Sequence, residues 1–398
     1  MNQVSVEVVV VGGGPAGLTA AIALASAGIE TALVAKPTSG PDHRTTALLA
    51  GSVTALDTLG VWACCREHAA PLRVLRIVDD TARLWRAPEA SFAAVDIGLD
   101  AFGQNIENRH LIAALQTRAA ELPKLARVAA VARAIEVGNE RVTVSYDGGA
   151  VSARLAIGAD GRRSLCRAVA GIGSHSRGYP QVALTCNLAH RREHHDTATE
   201  FHGEHGPFTL VPLPGRRSSL VFVAKPREAP RLAALSDADL AAEIERRSHS
   251  ILGKIALEPG RGVFPLVLDT AWQLGARRVA LVGEAAHVVA PIGAQGLNLG
   301  LRDAATIAEL VAAAHRGGRD AGEVTDDYDR MRRADVASRA LAVDLLNRSL
   351  LSDFLPVQSA RGIGLFLAQR IGPLRRALMR EGVAPLASQP RLMRGEGL

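Results

Sequence analysis

Aromatic residues are scarce in this chain: Phe, Trp and Tyr make up 4% of its 398 residues. A basic surface interleaved with stacking rings, as nucleic-acid binding favours, has little to draw on. Lysine is scarcer still, present only at Lys36, Lys124, Lys225 and Lys254, so the formal charge of +6 and the pI near 9.5 rest on arginine. The arginines are dispersed, which argues against nucleic acid as a partner. Attraction to an anionic membrane surface and a plain compositional bias are the other two readings. The cysteines, Cys64, Cys65, Cys166 and Cys186, show no C-x-x-C spacing and no secretory context, so a reducing cytoplasm is the expected compartment. No basic n-region precedes the first apolar run, and no apolar stretch outside that element is long enough to span a bilayer. The expectation is a cytoplasmic protein, soluble or peripheral on the cytoplasmic membrane face.

What the chain has in quantity is apolar residues (48%) and glycine (38 residues), the mix of an α/β protein with many tight strand–helix turns. Its length exceeds one compact core, so two domains or one with a large insertion are expected. Val6 to Val11 is a near-continuous β-branched run, followed at once by Gly12-Gly13-Gly14-Pro15-Ala16-Gly17 and an alanine-rich helical stretch from Leu18 to Ala27, closed by Gly28. In such a strand–turn–helix unit Gly12 makes the tight turn, Gly14 lets a pyrophosphate approach the backbone, and Gly17 lets helix and strand pack closely. The usual acidic partner at the end of the next strand is missing: Thr31 to Val34 leads into Ala35 and Lys36. Either Lys36 meets a phosphate near the ribose, or the nucleotide is held by its other contacts and Lys36 is solvated; the second reading is preferred.

The most informative stretch runs from Gly283 to Asp303. The apolar run Val279–Val282 reads as a buried strand, a polar loop follows, and a helix starts near Gly296-Leu297-Asn298 and continues through Leu310. Such a helix start points unpaired N–H groups and the positive dipole end at an electron-rich, partly anionic ring. Between these elements, Leu155 to Arg167 is an apolar strand running into the turn Asp160-Gly161, followed by Arg162-Arg163-Ser164 and Arg167.

These three elements, in this order, resemble the motifs of the single-component FAD-dependent aromatic hydroxylases. The wording Pro-Ile-Gly-Ala-Gln-Gly-Leu-Asn-Leu-Gly-Leu-Arg-Asp at 291–303 is most similar to the ubiquinone-biosynthesis hydroxylases. The resemblance implies cofactor contacts from Gly12, Gly14, Pro15, Ala16 and Gly17, and from Arg44, which in the family lies along the FAD; Lys36 joins them as a candidate cofactor contact on the first of its two readings. Asp160 and Gly161 would touch the pyrophosphate region, and Gly283 and Glu284 the ribitol or ribose region. Glu284 stands where most of the broader family has Asp. Pro291 would flank the ring face, and the backbone of Gly293, Gln295, Gly296, Leu297 and Asn298 would hold the pyrimidine edge. Gln104 and Arg109, in a segment resembling the family's Gly-x-x-x-Glu-Asn, read either as cofactor or pocket contacts or as a helix cap and a surface arginine. His287 is the titrating group beside the ring, read as polarising substrate, relaying a proton, or structural. Pro291 and His287 are thus the candidate catalytic residues.

The implied chemistry is aromatic hydroxylation. NAD(P)H or another external donor reduces FAD, O2 adds to form a flavin C4a-hydroperoxide, and its distal oxygen attacks an electron-rich ring. The chain lacks a second G-x-G-x-x-G, so no dedicated nicotinamide domain is expected. The implied substrate is a polyprenylated phenol of ubiquinone biosynthesis, with other ubiquinone-biosynthesis proteins and a peripheral membrane contact as partners. The alternatives are a hydroxylase of a small soluble aromatic or polyketide, and a low-turnover FAD-binding scaffold subunit of a membrane-associated complex.

The expected architecture is α/β: a Rossmann-like FAD-binding domain in three parts (1–75, 98–177 and 269–340), with a mainly antiparallel β-sheet substrate domain inserted (76–97 and 178–268) and a C-terminal helical region (341–398). Gly206-Pro207-Phe208 and Phe264-Pro265-Leu266 match the family's sheet segments. His190, His194, His195, His202 and His205 match no ligand spacing, and no metal is expected. Leu345, Leu346, Leu350 and Leu351, then Leu365, Phe366, Leu367, Ile371, Leu374 and Leu378 with interspersed arginines, read as amphipathic helices that pack on the FAD domain or lie on a membrane.

Overall fold

The computed structural model describes residues 2–37, 40, 42–81, 86, 88–203, 206–351, 371–383 and 389–398. Its helices are α1 (Pro15–Ser26), α2 (Ala50–Thr58), α3 (Asn108–Ala120), α4 (Leu165–Val169), α5 (Ala229–Ala234), α6 (Asp237–Arg247), α7 (Gln295–Arg316), α8 (Thr325–Leu351) and α9 (Gly372–Val383). The architecture is α/β.

The centre is a six-stranded sheet in the order Gly275–Ala276, Val279–Leu281, Leu155–Gly158, Val8–Val11, Thr31–Ala35, Leu125–Ala129, parallel except for its first pair. Val8 to Val11 are buried on both faces, as parallel strands covered by helices must be, which explains an unbroken β-branched run instead of alternation. α1 is buried from Ala16 through Ala25. Its small side chains let it pack against both α7 and α3. A four-stranded sheet, Asn2–Ser5, Gly149–Ala153, Val142–Tyr146 and Ala132–Val137, extends from this core.

The second large sheet has nine strands. Its path runs His287–Val288, Gly262–Ala271, Ser174–His190, Arg217–Ala224, Gly206–Leu213, Thr197–Gly203, Val74–Asp79, Ala90–Ala93, with Ile255–Leu257 also on Ser174–His190. All pairs are antiparallel except Thr197–Gly203 with Val74–Asp79. One face packs under α5 and α6 around Leu184, Leu188, Phe208, Phe222 and Ile244. The other carries a smaller cluster in which Tyr179, Ala183, Val223 and Leu266 meet Ala290, Ile292 and Val343. The sheet's last strand, His287–Val288, belongs to the loop between Leu281 and α7, so that loop is shared by both sheets.

α8 bridges the two halves. Near its start Tyr328, fully buried, donates its hydroxyl to Leu281 O at 2.7 Å. Near its end Asp344 accepts from Tyr179 Oη at 2.7 Å, and Asn347 Nδ2 donates to Gln181 Oε1 at 2.8 Å. Farther along, α9 docks through Met379, buried beside Ala94 and Phe102, and through Arg375, 2.6 Å from Asp96. Leu392 and Met393 are buried in the main core. Leu341, Leu345, Leu346, Ile371, Leu374 and Leu378 are exposed. Residues 352–370, with Leu365, Phe366 and Leu367, and the side chains of Leu350 and Leu351 lie outside the described residues. Among those described, no helix is long and apolar enough to cross a membrane.

Candidate flavin site

At the carboxyl ends of the parallel strands lies a cavity of about 670 Å³, the size range of cofactor pockets. Its walls come from all three glycine-punctuated elements. Gly12 sits at φ +114°, and a Cβ there would stand 2.2 Å from Ala159 O, so neither the conformation nor the space admits a side chain. Gly17 is excluded likewise by Gly12 O, 2.1 Å from where its Cβ would stand, because α1 starts hard against the turn. Gly14 differs: nothing lies within 4 Å of its missing Cβ, and its backbone is ordinary extended chain at the N-cap of α1. It borders the cavity with bare backbone at the helix N-terminus, the arrangement a pyrophosphate needs.

Asp160 and Gly161 line the cavity beside Gly12. The Asp160 carboxylate builds the start of α4: Oδ1 accepts from Ser164 Oγ at 2.6 Å and Oδ2 from Cys166 N at 3.1 Å. From α4, Arg167 Nη1 donates to Ala285 O at 2.8 Å, tying this motif to the turn at Gly283. Asp160→Ala removes two hydrogen bonds from a five-residue helix. The expected cost is about 1–2 kcal/mol in chemical denaturation, with looser cofactor retention in a titration; unchanged values in both would reduce the motif to a plain turn.

Arg44 borders the cavity from the segment entering the Thr45–Leu49 strand. Its Nε and Nη2 bond Asp42 at 2.9 and 2.7 Å, and its guanidinium lies 5.8 Å from the Phe264 ring centroid. The Asp42 hydrogen bond raises the Arg44 pKa above its ordinary value, with Asp42 and Glu284 charges adding to it. Burial pushes the Asp42 carboxyl up, but its bonds to Arg44 and Asn108 outweigh that and hold it below its usual range.

Of the other residues singled out, Gly12, Pro15, Ala16, Gly17, Lys36, Gly283, Glu284, His287, Gly296 and Leu297 also line the cavity. Gln104, Pro291, Gly293, Gln295 and Asn298 do not. Gln104 is paired in a strand opposite Leu48 and Pro71. Arg109 bonds Glu107 at 3.1 Å. Asn298 uses its side chain on backbone, donating to Ala47 O and Ala294 O and accepting from Leu49 N, which fixes the first turn of α7 against the Thr45–Leu49 strand. Ala294, just before α7, is left-handed at φ +55°, a strained conformation for a residue with a Cβ. His287 has no exposed side-chain surface; its Nε2 is 2.6 Å from Asp303 Oδ2, and Nδ1 has no partner among the described residues. The histidines at 190, 194, 195 and 202 form no group able to hold a metal ion among the described residues, and His205 lies outside them.

Residues 5–343 match the FAD binding domain family. Ubiquinone hydroxylase UbiL of Rhodospirillum rubrum is 37% identical over 405 residues, covering 98% of this chain and 92% of that protein. This chain belongs to the FAD-dependent ubiquinone-biosynthesis hydroxylase family. A further family member, 3-demethoxyubiquinol 3-hydroxylase of Escherichia coli, is 31% identical, covering 96% of this chain and 99% of its own. In fold the hydroxylase is similar to p-nitrophenol 4-monooxygenase PnpA from Pseudomonas putida, with a TM-score of 0.79 at 19% identity over 96% of this chain and 98% of the other. It is an FAD-dependent monooxygenase, and FAD is its cofactor.

The cavity of the hydroxylase fits FAD at the pyrophosphate and flavin ends, where bare backbone and the α7 start face it. The adenosine end departs from the usual pattern. Ala35 lines the cavity, and a Cβ on Gly13 would stand 2.8 Å from the Ala35 Cβ, so position 35 faces the glycine-rich turn without a carboxylate. Ala35→Glu is expected to tighten FAD binding about tenfold, the value of one charge-assisted hydrogen bond to a ribose hydroxyl. Flavin fluorescence titration measures it; equal affinities would place the ribose away from this strand end. Sequence reading missed Arg163, Ala130 and Ala132 as cavity residues. Arg163 was signalled by its place in the Asp160 motif, whereas Ala130 and Ala132 carried no signal.

Proposed function

We propose that this chain hydroxylates the ring of a polyprenylated phenol or quinol precursor in ubiquinone biosynthesis. The observation that carries the reading is similarity across nearly the whole length to hydroxylases named for that pathway, together with a cavity built from every flavin motif of the sequence. When bound, FAD supplies activation and transfer of oxygen, with O2 as co-substrate and NAD(P)H or another donor as reductant. The chain's own residues bind and orient. Gly12 to Gly17 and the start of α1 take the pyrophosphate; Arg44, Asp160 and Glu284 border its path; backbone N–H groups at Gly296 and Leu297 face the pyrimidine edge. His287, buried and bonded to Asp303, is a positioning residue for the loop that carries it.

On the other face of the nine-stranded sheet Val223 and Leu266 pack against Ala290 and Ile292, giving this loop the apolar backing that a hydrophobic substrate beside it would favour. Phe208 sits in the core on the other face and takes no part. Exposed leucines at i, i+4 on α8 (Leu341, Leu345) and α9 (Leu374, Leu378), with Arg376 and Arg380 among them, suit contact with a membrane surface that holds a polyprenyl tail. Lipid extracts of a deletion strain test the substrate class. Accumulation of an under-hydroxylated prenylated precursor, reversed by the wild-type gene, is expected; a normal quinone profile would point to a soluble aromatic substrate, tested by phenol-stimulated NAD(P)H oxidation.

A further inference from the structure

Behind the flavin loop lies a charge cluster that the cofactor-lining residues do not account for. α8 presents Arg332, Asp335 and Arg339 to α7 and the loop. Arg332 Nε donates to Asp303 Oδ1 at 2.8 Å, while Asp303 Oδ2 meets His287 Nε2 at 2.6 Å and accepts from Gly283 N at 3.2 Å. Asp335 accepts from Arg302 and Arg339, each at 2.9 Å, and from Arg332. Arg339 Nη1 continues to Gln295 Oε1 at 3.3 Å. The network therefore ends on Gly283 and His287, which line the cavity, and on Gln295, the first residue of α7.

Its charges do not balance. Arg302, Arg332 and Arg339 have side chains only 11%, 4% and 11% exposed, and the carboxylates among them are Asp303 and Asp335. Glu381 also approaches Arg339 but is 68% exposed and screened by water. At least one positive charge is left over. Arg302 Nε and Arg332 Nη2, both buried, have no partner among the described residues. Burial pushes the Arg302 guanidinium below its ordinary pKa, a cost with no evident return in packing.

A flavin that gains two electrons and one proton is left with a negative charge, and the excess positive charge of a buried cluster two hydrogen bonds behind its cavity stabilises that charge over a low-dielectric path. We propose that the Arg302–Asp335–Arg332 cluster raises the reduction potential of the bound flavin, with Arg302 supplying the uncompensated charge through space. This rests on the assignment of the cavity to FAD.

The test is charge arithmetic on the FAD-loaded protein: dye-equilibration potentials of wild type, Arg302→Met, Asp335→Asn, the double variant and Arg302→Lys, with FAD stoichiometry and melting temperature for each. The potential should fall in Arg302→Met and rise in Asp335→Asn. The double variant, with its net charge restored, and Arg302→Lys, with its charge kept, should return to wild type. A merely structural cluster would shift both single variants the same way and the double further still. That pattern, or unchanged potentials with FAD bound, would overturn the proposal. Should Asp335→Asn not fold, equal potentials in Arg302→Met and Arg302→Lys would overturn it alone. A wild-type protein that binds no FAD would sink the underlying assignment first, before any variant is compared.

Discussion

Gly14→Val is expected to fold with the wild-type melting temperature and to lose FAD. Space and backbone both tolerate the new side chain, since no atom lies within 4 Å of the Cβ position and the residue is extended. The isopropyl group would then occupy the helix N-terminus where the pyrophosphate approaches the backbone. An affinity loss of at least about 100-fold, or roughly 3 kcal/mol, corresponds to excluding that contact. Gly12→Val provides the contrast. At φ +114° and 2.2 Å from Ala159 O, its Cβ would part the Val8–Val11 and Leu155–Gly158 strand ends, so fold and cofactor should be lost together. Thermal melting beside flavin fluorescence titration separates the two cases. A yellow, fully loaded Gly14→Val protein would refute the role of this loop.

Asp303→Ala should be the most destabilising single change in the flavin region, at about 3–5 kcal/mol, because it leaves buried Arg332 only the Asp335 carboxylate, already shared with Arg302 and Arg339. Asp303 is fully buried, and Arg332, Gly283 N and His287 all lose a partner with it. Burial alone would raise the Asp303 pKa; the charges and hydrogen bonds of His287 and Arg332 outweigh it and hold the carboxyl below its ordinary value. A depressed folded-state pKa means the stabilisation is complete above about pH 4, the ordinary carboxyl value, and drains away as pH falls through the lower folded value. Melting temperatures of wild type and Asp303→Ala should therefore differ by a constant amount at neutral pH and converge only below pH ~4. Equal melting temperatures at pH 7 would show that the buried pair carries no stability.

The α/β class and the three cofactor motifs were legible because each is local. Gly12 to Gly17, Asp160-Gly161 and Gly283 to Asn298 are short segments whose chemistry is written in consecutive residues, and the parallel strands before them are uninterrupted apolar runs. What was hidden depends on partners far apart in the chain. Asp303 ends a recognisable motif, yet its partner Arg332 stands 29 residues on, among neighbouring arginines that no pattern distinguishes. The link from Tyr179 to Asp344 spans 165 residues, so the bridging role of α8 has no local signature. His287 read either as a titrating group beside the ring or as structural, because sequence shows its neighbours in the loop but not the Asp303 carboxylate packed behind it. Asn298 read as a backbone contact to the flavin, and nothing local told that its side chain is spent on Ala47, Leu49 and Ala294, two of them about 250 residues away. The parallel pairing of Val74–Asp79 with Thr197–Gly203 likewise joins strands that share no turn.

The absorption spectrum of the purified protein, followed by identification of the cofactor released on denaturation, tests the central claim most directly. Flavin bands with FAD released, one per chain, are the predicted result despite alanine at position 35. A colourless protein that FAD cannot reconstitute would contradict the assignment of this cavity, and the hydroxylase reading with it.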